Sequence, residues 1–596
     1  MDLQDRFEAR LEAHGTRLHR QLERLYGADD ALWGRVKRLL QDRAVERPAD
    51  LRRLDLAREA DPDWFVAPEM LGYSTYVDRF NGSVAGLTGQ VDYLESLGIR
   101  YLHLLALLKA RDGDSDGGFA VADYLAIEPR LGTMPDVERL ADRLRQARIS
   151  LCVDLALNHT ADDHPWAQAA RAGDPFYRDF YIILEQPQAA AFESHLPQVF
   201  PTTAPGNFTY VPEADGYVWT TFYPFQWDLN WRNPEVFLAM LDVALRLANH
   251  GFEAFRLDST AFLWKDAGTD CRNRPEAHFI VRALRAALDI AAPATLLKAE
   301  AIVPTAFVPP YFGADEGQGF EAECHIVYNN SLMVASWVGL AEGSATLPAT
   351  ILRDSGGLPT GANWLTYARC HDDIGWNAIR ADLAIIDADP LGRLGRAARF
   401  LEGKGQSWAK GEPFQSDGGA LHGTNGTLAS LCGLEQATGA DEEMAFRRIM
   451  LMQALTIAAG GLATCYMGDE TGLLNDHSYL DDPVLAHEGR WVHRPTIDWA
   501  SLSAARAVRV RSDWQRLRAA RLASGGAGPS SPIDTGSDLV LGLACGRDRV
   551  FLNFSGQSVA LDHTISGSGM DRLGARIAQD GWELAPWQVL WLEARA

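Results

Sequence analysis

Three carboxylates in this chain, Asp258, Glu300 and Asp372, each follow a short apolar run. A carboxylate at the end of a buried parallel strand points toward the mouth of a barrel. Cleavage of an acetal between two sugars needs an acid to protonate the leaving oxygen and an anion to capture or stabilise the anomeric carbon. The three carboxylates therefore predict glycosidic-bond chemistry.

The residues around these carboxylates predict different protonation states. Arg256 lies two residues before Asp258 on an expected strand, so both side chains face the same way and the guanidinium would keep Asp258 ionised as a nucleophile. Three apolar residues follow Glu300 and would raise its pKa, so that it stays protonated and serves as the acid. Asp372 is expected to orient the substrate and stabilise the transition state.

Each carboxylate alone has a simpler explanation, because acidic residues commonly cap the helices that follow strands. The combination argues against it. Asn158 and His159 follow the third apolar run, and Asp116 follows the second, so further polar groups are expected on the same side.

Composition and charge exclude several classes of partner. The 596 residues are 47% hydrophobic and 10% aromatic, enough for a large core. The net charge of -23 argues against nucleic acid and anionic membranes, since both need a basic face. A neutral small-molecule substrate is expected, with a monomer or homodimer. The first residues are charged and lack the apolar core of a signal peptide, which predicts a cytoplasmic location.

The longest uncharged stretch, 449–467, approaches the ~20 apolar residues of a spanning helix. Gly460 and Gly461 interrupt it, so we interpret it as a buried helix followed by a buried strand. The seven cysteines are scattered without a Cys-x-x-Cys pair, which favours buried reduced thiols. Phosphate-loop, dinucleotide and His-Glu-x-x-His motifs are absent, so no cofactor and no obligatory metal are expected.

Short apolar runs alternate with amphipathic helical stretches over most of the chain. Eight such runs, the rhythm of βα units, predict a (β/α)8 barrel. The runs are 73–77, 99–108, 150–157, 251–257, 295–299, 324–328, 365–370 and 462–467.

The rhythm also predicts the domain boundaries. We expect a helical domain over 1–68, the barrel over 69–521 and a C-terminal antiparallel β-sandwich over 522–596. Two intervals break the alternation, 160–232 after the third run and 374–425 after the seventh. Both follow the carboxyl end of a strand, so we interpret them as inserted subdomains B and B′ that wall a pocket.

The signature segments resemble those of the α-amylase superfamily, glycoside hydrolase family 13, and more closely its amylosucrase and sucrose hydrolase branch. The similarity covers nearly the whole chain. It rests on Asn158-His159, Arg256-Leu257-Asp258, Ser115-Asp116-Gly117-Gly118, Trp219-Thr220-Thr221-Phe222, Phe225-Gln226-Trp227-Asp228-Leu229-Asn230, Lys298-Ala299-Glu300-Ala301-Ile302-Val303, His371-Asp372-Asp373-Ile374-Gly375-Trp376 and Arg490-Trp491-Val492-His493-Arg494-Pro495.

The resemblance implies a double displacement with retention, in which sucrose donates a glucosyl unit. Asp258 would form the β-glucosyl-enzyme, Glu300 would protonate fructose, and Asp372 would stabilise the transition state. Asp116 and Arg490 match a salt bridge that closes the bottom of the glucose pocket in this branch. A closed pocket of this kind limits the site to one terminal glucosyl unit.

Further positions acquire roles from the same resemblance. His159 and His371 would bond glucosyl hydroxyls, and Arg256 would orient the nucleophile. Phe222 would stack on the glucose ring. Gln226 and Asp373 would face the fructosyl or acceptor side.

This sequence departs from the pattern at three positions. Phe119 replaces a tyrosine, which keeps stacking and loses one hydroxyl. Pro197 and Lys410 replace acceptor-side arginines, whose rigid donor fork proline lacks and lysine only partly reproduces. Poor acceptor binding would let water intercept the glucosyl-enzyme, so we predict sucrose hydrolysis.

Other functions remain open from the sequence. The main alternative is an amylosucrase that builds an α-1,4-glucan, and a more distant one is another family 13 α-glucosidase or a sucrose isomerase. A non-catalytic binding subunit of the same fold would typically have lost the carboxylates, and all three are present here.

Overall fold

A closed barrel of eight parallel strands forms the centre of the protein in this computed structural model, which describes residues 3–315, 317, 319–415, 421–562, 569–574, 577–578 and 582–593. Each strand pairs with the next in chain order, and the last pairs with the first. The strands are β1 (Leu71–Tyr76), β2 (Tyr101–Leu105), β3 (Ser150–Ala156), β4 (Ala254–Asp258), β5 (Leu296–Ala299), β6 (Ile326–Tyr328), β7 (Asn363–Tyr367) and β8 (Leu462–Tyr466). The predicted (β/α)8 fold is confirmed.

The closure of the barrel depends on a close approach of β1 and β8. Gly72 lies opposite Thr464 in this pairing. A Cβ on Gly72 would lie 2.5 Å from Oγ1 of Thr464, so only glycine lets the two backbones pair at this point.

Helices surround the barrel. At the N-terminal side lie α1 (Leu3–Tyr26), α2 (Asp30–Glu46) and α3 (Ala49–Ala60), and Arg17 of α1 forms an ion pair with Asp289 at 2.5 Å. The predicted helical domain is therefore confirmed as part of the fold. The helices between and after the strands are Val77–Asn81, Val84–Thr88, Val91–Leu97, Met134–Gln146, Pro234–Asn249, Pro275–Ala291, Asn330–Glu342, Thr346–Asp354, Ala440–Ala458 and Ala505–Ser524.

Two insertions rise from the carboxyl ends of β3 and β7. In the first, strand His159–Ala161 pairs antiparallel with Gln226–Asp228 and brings the two ends of the insertion together. Between them lie a three-stranded sheet and short helices: Pro165–Arg171, Pro175–Arg178, Ile183–Leu184, Gln186–Glu193, Phe208–Val211 and Gly216–Trp219. The second contains a three-stranded sheet and two helices: Ile374–Gly375, Arg380–Ile386, Pro390–Leu401, Glu412–Phe414 and Gly423–Asn425.

Antiparallel sheets form the C-terminal region, as the sequence predicted. The larger has four strands, Ser531–Ile533, Val540–Cys545, Asp548–Asn553 and Val589–Leu592. The smaller pairs are Val559–Leu561 with Trp582–Leu584 and Gly569–Met570 with Ile577–Ala578. The preceding helix ends at Ser524, two residues beyond the start of the predicted sandwich at 522.

The uncharged stretch at 449–467 contains the end of helix Ala440–Ala458 and all of β8, separated by Gly460 and Gly461 in left-handed conformations. Over the described part of the chain, no helix combines the length and apolarity needed to cross a membrane. All seven cysteines carry free thiols.

Candidate active site

A cavity of about 530 Å³ opens at the carboxyl ends of the barrel strands, between the two insertions. Its volume falls in the range of small-molecule sites. Eleven of the residues singled out from the sequence line it: Asp116, Phe119, His159, Phe222, Arg256, Asp258, Glu300, His371, Asp372, Asp373 and Arg490.

Arg256 on β4 joins the carboxylates at the centre of this cavity. One terminal nitrogen donates to Oδ1 of Asp258 at 2.5 Å and also approaches Oδ1 of Asp154 at 3.3 Å, while the other donates to Oε1 of Glu300. In the barrel register Arg256 lies level with Asp154 on β3 and Lys298 on β5. Parallel pairing therefore brings the two predicted catalytic carboxylates onto one guanidinium.

Ser259 contacts both of these carboxylates. Its hydroxyl donates to Oδ2 of Asp258 at 2.8 Å, and its backbone NH donates to Oε2 of Glu300 at 3.3 Å. Its backbone is left-handed, with φ of 54°. Non-glycine residues in this region are strained, and such strain persists where the surroundings over-determine the conformation. The strained turn fixes the residue that follows Asp258.

The electrostatic environment separates Glu300 from Asp372. Burial raises the pKa of Glu300 to about 8, although the positive charge of Arg256 acts in the opposite direction. Burial also opposes ionisation of Asp372, but its interactions with the imidazole of His371 and with the cation of Arg490 outweigh burial and lower the pKa of Asp372. Of the three apolar residues that follow Glu300, Ala301 and Val303 are buried and Ile302 is 60% exposed. At neutral pH Glu300 holds a proton and Asp372 does not.

Arg490 is shared by three carboxylates. It donates to Asp116 at 2.8 Å, to Asp372 at 3.0 Å and, through Nε, to Glu488 at 2.8 Å. Burial raises the pKa of Asp116 to about 6, with Arg490 acting against it. Burial also works against Glu488, but Arg490 dominates and lowers the pKa of Glu488 to about 2. The predicted pairing of Asp116 with Arg490 is present in the geometry.

Aromatic rings and neutral histidines form the adjoining wall. The ring of Phe119 stacks on the imidazole of His371, with centroids 5.1 Å apart and an interplanar angle of 19°. Burial lowers the pKa of His371 to about 3 and also lowers that of His159. The ring of Phe222 lies 5.2 Å from that of His159. Neutral imidazoles beside aromatic faces suit the hydroxyls and apolar faces of a sugar.

The expected acceptor-side position of Gln226 is wrong. Gln226 is fully buried behind the cavity wall, and its amide nitrogen lies 3.3 Å from Oδ2 of Asp116 and 3.0 Å from Nε2 of His159. The antiparallel pairing of strand Gln226–Asp228 with His159–Ala161 draws it inward. Gln226 therefore supports two residues of the lining instead of facing a substrate.

Asp373 does line the cavity, and Oδ2 of its carboxylate is buried with no hydrogen-bond partner among the described residues. Burial raises the pKa of Asp373 to about 6. Gly423 faces this oxygen, and a Cβ at that position would lie 1.9 Å from it. The glycine leaves the carboxylate room beside the cavity.

The two positions that replace acceptor-side arginines differ in location. Pro197 lies on the cavity lining. Lys410 is absent from the lining formed by the described residues, and its backbone bonds Ser430 at 3.0 Å and Asn475 at 2.6 Å. Lys410 therefore gives no reason to expect weak acceptor binding, whereas Pro197 offers an acceptor no hydrogen-bond donor from the cavity lining.

Sequence reasoning missed three residues of the site: Asp154, Ser259 and Glu488. Asp154 interrupts the apolar run of β3. Because a buried carboxylate must be paired, its position in this run could have predicted a cationic partner. It bonds His103 at 3.0 Å as well as Arg256. Glu488 lies two residues before Arg490 in a loop, where spacing alone gives no geometry.

Within the described residues, one trio has the spacing of metal ligands: Cys370, His371 and Asp372, whose ligand atoms lie within 4.8 Å of one another. Burial raises the pKa of the Cys370 thiol, which favours the protonated form over the thiolate that binds metals. Asp372 already accepts from Arg490. We assign no metal to this trio.

The fold and site define a (β/α)8-barrel protein with carboxylates clustered at the carboxyl ends of its strands. The family model described as the alpha-amylase catalytic domain matches residues 55–334, within the part of the chain that forms most of the barrel. Residues 55–334 are therefore similar to the catalytic domain of the α-amylase superfamily, glycoside hydrolase family 13.

Curated relatives match parts of the chain. A trehalose synthase of Thermus thermophilus is 29% identical over 428 residues, covering 71% of this chain and 40% of the relative. A trehalose synthase/amylase of Mycolicibacterium smegmatis is 33% identical over 327 residues, covering 53% of each chain. The chain thus spans about half the length of these relatives, between 40% and 53%.

Solved structures share the fold. A trehalulose synthase is 17% identical with a TM-score of 0.66, covering 89% of this chain and 100% of that chain. A sucrose 6F-phosphate phosphorylase from Thermoanaerobacter thermosaccharolyticum is 20% identical with a TM-score of 0.63, covering 81% of this chain and 92% of that chain.

Proposed function

We propose that this protein is a retaining glycosidase that forms a β-glucosyl-enzyme from sucrose, releases fructose and passes the glucosyl unit mainly to water. The observation that carries the proposal is the bridge of Arg256 between Asp258 and Glu300. Retaining enzymes hold their two carboxyl groups about 5 Å apart, and inverting enzymes hold them further apart to admit a water. Two carboxylates on one guanidinium support the retaining arrangement.

In the first half-reaction Asp258 attacks the anomeric carbon. Glu300, protonated at neutral pH because burial raises its pKa to about 8, donates its proton to the fructosyl oxygen. The bond between the anomeric carbon and that oxygen breaks, and fructose leaves. Asp372, held by Arg490 at 3.0 Å, stabilises the positive charge that develops on the glucosyl ring.

In the second half-reaction the ionised Glu300 takes a proton from water, which attacks the anomeric carbon and releases Asp258. Arg490 and Asp116, 2.8 Å apart, supply the floor of the glucosyl pocket. A floor of this kind admits one glucosyl unit, so sucrose fits as a donor and the interior of a polymer does not.

The choice of water as acceptor rests on Pro197. This side chain lines the cavity and offers no donor to an acceptor sugar. A tenfold change in partitioning between water and sugar needs only about 1.4 kcal/mol between the competing transition states.

An amylosucrase that transfers the glucosyl unit to an α-1,4-glucan is the second candidate. One observation favours it: Lys410 lies away from the lining of the described cavity, so it does not weaken acceptor binding. A family 13 α-glucosidase or a sucrose isomerase is a more distant candidate. A non-catalytic subunit is disfavoured, because the carboxylates remain joined by Arg256 and Arg490.

The test is to incubate the purified protein with sucrose alone and to quantify glucose, fructose and glucan over time. Equal glucose and fructose support hydrolysis. Fructose in excess over glucose, with glucan formed, identifies the amylosucrase. Asp258→Asn serves as the inactive control. If wild-type protein that unfolds cooperatively releases no fructose, sucrose is not the donor. Trehalose and isomaltulose are then tested as substrates.

A further inference from the structure

Arg272 lines the same cavity as Asp258 and Glu300 but has no assigned role. Arg272 is half-buried, whereas Arg256 and Arg490, the two buried arginines of the cavity, are each neutralised by carboxylates. Arg272 forms no ion pair with any residue that the structure describes. Asp270, its acidic neighbour, accepts instead from the backbone NH of Arg272, at 3.2 Å.

A continuous wall of rings connects Arg272 to the glucosyl pocket. The guanidinium lies 5.0 Å from the ring centroid of Phe262, and that ring lies 5.4 Å from Phe222. The ring of Phe222 in turn lies 5.2 Å from His159. Arg272 therefore lies at one end of a row of rings whose other end is His159, and both ends line the same cavity.

The backbone around Arg272 is held in place. The residues on either side, Cys271 and Asn273, both have φ of 52°. The NH of Asn273 donates to the carbonyl of Ala261 at 2.8 Å, and the NH of Asp266 donates to Sγ of Cys271 at 3.3 Å. Left-handed non-glycine residues persist where the structure over-determines them and cluster at ligand clamps.

Among the described residues, no carboxylate forms an ion pair with the guanidinium of Arg272. The Nε of Arg272 is buried and has no hydrogen-bond partner in the part of the chain that the structure describes. Burial lowers the pKa of Arg272, and the negative charge of Asp270 opposes this shift only in part. A guanidinium offers a planar donor fork that matches a carboxylate or a phosphate, and an anion in the cavity would restore both the hydrogen bonds and the charge balance.

We propose that Arg272 binds the anionic group of an acceptor, a phosphate or a carboxylate, and directs such acceptors to the glucosyl-enzyme. This inference rests on the proposed glucosyl-enzyme and names its acceptor class. An oxygen of hydrogen phosphate attacks the anomeric carbon, the bond to Asp258 breaks, Glu300 takes the proton, and α-glucose 1-phosphate is released. With a hydroxy acid the hydroxyl oxygen attacks, Glu300 takes the hydroxyl proton, and the carboxylate stays on Arg272.

The experiment compares acceptors of similar size and different charge. Sucrose and α-glucosyl fluoride are supplied as parallel donors with inorganic phosphate, glycolate or the neutral ethylene glycol at equal concentrations. The readout is the ratio of glucosylated acceptor to free glucose, which is independent of the overall rate. For the wild type this ratio is expected to be at least tenfold higher with an anion than with ethylene glycol.

Three variants assign the preference to Arg272. Arg272→Gln is expected to lower the preference for the anion at least tenfold, and Arg272→Lys, which keeps the charge, is expected to retain part of it. Arg139→Gln controls for net charge: it removes an arginine of helix Met134–Gln146 whose side chain is 67% exposed, and it is expected to keep the wild-type ratio.

The outcomes separate this inference from the proposed function. Capture of phosphate alone or of glycolate alone identifies the source of the anion. No preference for either anion in the wild type, or an unchanged preference in Arg272→Gln, overturns the inference. If the anion is glucosylated by α-glucosyl fluoride and no fructose is released from sucrose, the role of Arg272 is supported and sucrose is rejected as the donor. If neither donor is turned over, both proposals are overturned.

Discussion

Arg256 donates to the carboxylate of Asp258 two residues further along the same strand, at 2.5 Å. The alternation of side chains along β4 sets this contact, so it does not depend on how the neighbouring loops fold. The second terminal nitrogen of Arg256 reaches Glu300 from β5. The proposed nucleophile and acid are therefore positioned by barrel strands and not by the insertions.

Glu300→Gln is expected to reduce turnover of sucrose by roughly 10² to 10⁴-fold, the contribution of a positioned general acid. Turnover of α-glucosyl fluoride should fall much less in its first step, because fluoride leaves without protonation. Burst kinetics with both donors check this. Asp258→Asn is the matched control and should lose both activities. An equal loss on both donors in Glu300→Gln would contradict the acid assignment.

The pH dependence of kcat/KM should be bell-shaped. Glu300 has a pKa raised to about 8 and must be protonated to act, so the rate falls as pH rises through about 8. Asp116 has a pKa raised to about 6 and pairs with Arg490 when ionised, so the rate falls as pH drops through about 6. The profile of Asp116→Asn checks the second assignment. If the acidic limb is unchanged in that variant, the loss of rate at low pH is assigned to protonation of Asp373, whose pKa is also raised to about 6.

Arg490→Gln is expected to lower the free energy of unfolding by about 3 kcal/mol, since loss of one partner leaves buried charges uncompensated. It strands Asp116, Asp372 and Glu488 together. Denaturant unfolding and the KM for sucrose measure the effect. Glu488→Gln is the control, because it keeps the contacts of Arg490 with the other two carboxylates. Equal stability of the two variants would refute the shared-cation account.

Pro197→Arg is expected to raise the ratio of glucosyl transfer to hydrolysis, because it returns a donor fork to the cavity lining. A tenfold change in the ratio corresponds to about 1.4 kcal/mol. Lys410→Arg is the matched comparison and should leave the ratio unchanged, since Lys410 does not line the described cavity. Product analysis with sucrose alone decides it. A larger effect from Lys410→Arg would reverse the two roles.

The sequence predicted the barrel because each strand is a short apolar run, a local property. The runs overshoot the strands: 99–108 became β2 over Tyr101–Leu105. The convergence of Asp258, Glu300 and Asp372 followed from their common place at strand ends. Contacts made by loops could not be predicted from the sequence. The hydrogen bond from Arg490 to Glu488, for example, depends on the path of the loop and not on the spacing of the two residues.

Long-range pairing explains the remaining misses. Gln226 stands in a motif shared with the amylosucrase branch, but the strand pairing that buries it joins residues more than sixty positions apart in sequence, such as Trp227 and Thr160. The direction of the pKa shift of Glu300 was predicted correctly for a partly wrong reason. Ile302 faces solvent, and burial at the barrel mouth raises the pKa.

The pairing of β1 with β8 has a consequence for biosynthesis. The barrel cannot close until residues 462–466 have been synthesised, because they form β8, the strand that pairs with the free edge of β1. At about 5 to 20 residues per second, β1 spends roughly 20 to 80 s with one unpaired edge. Arrested nascent chains that end before β8 should therefore be cleaved by protease within β1, and chains that extend well past it should resist.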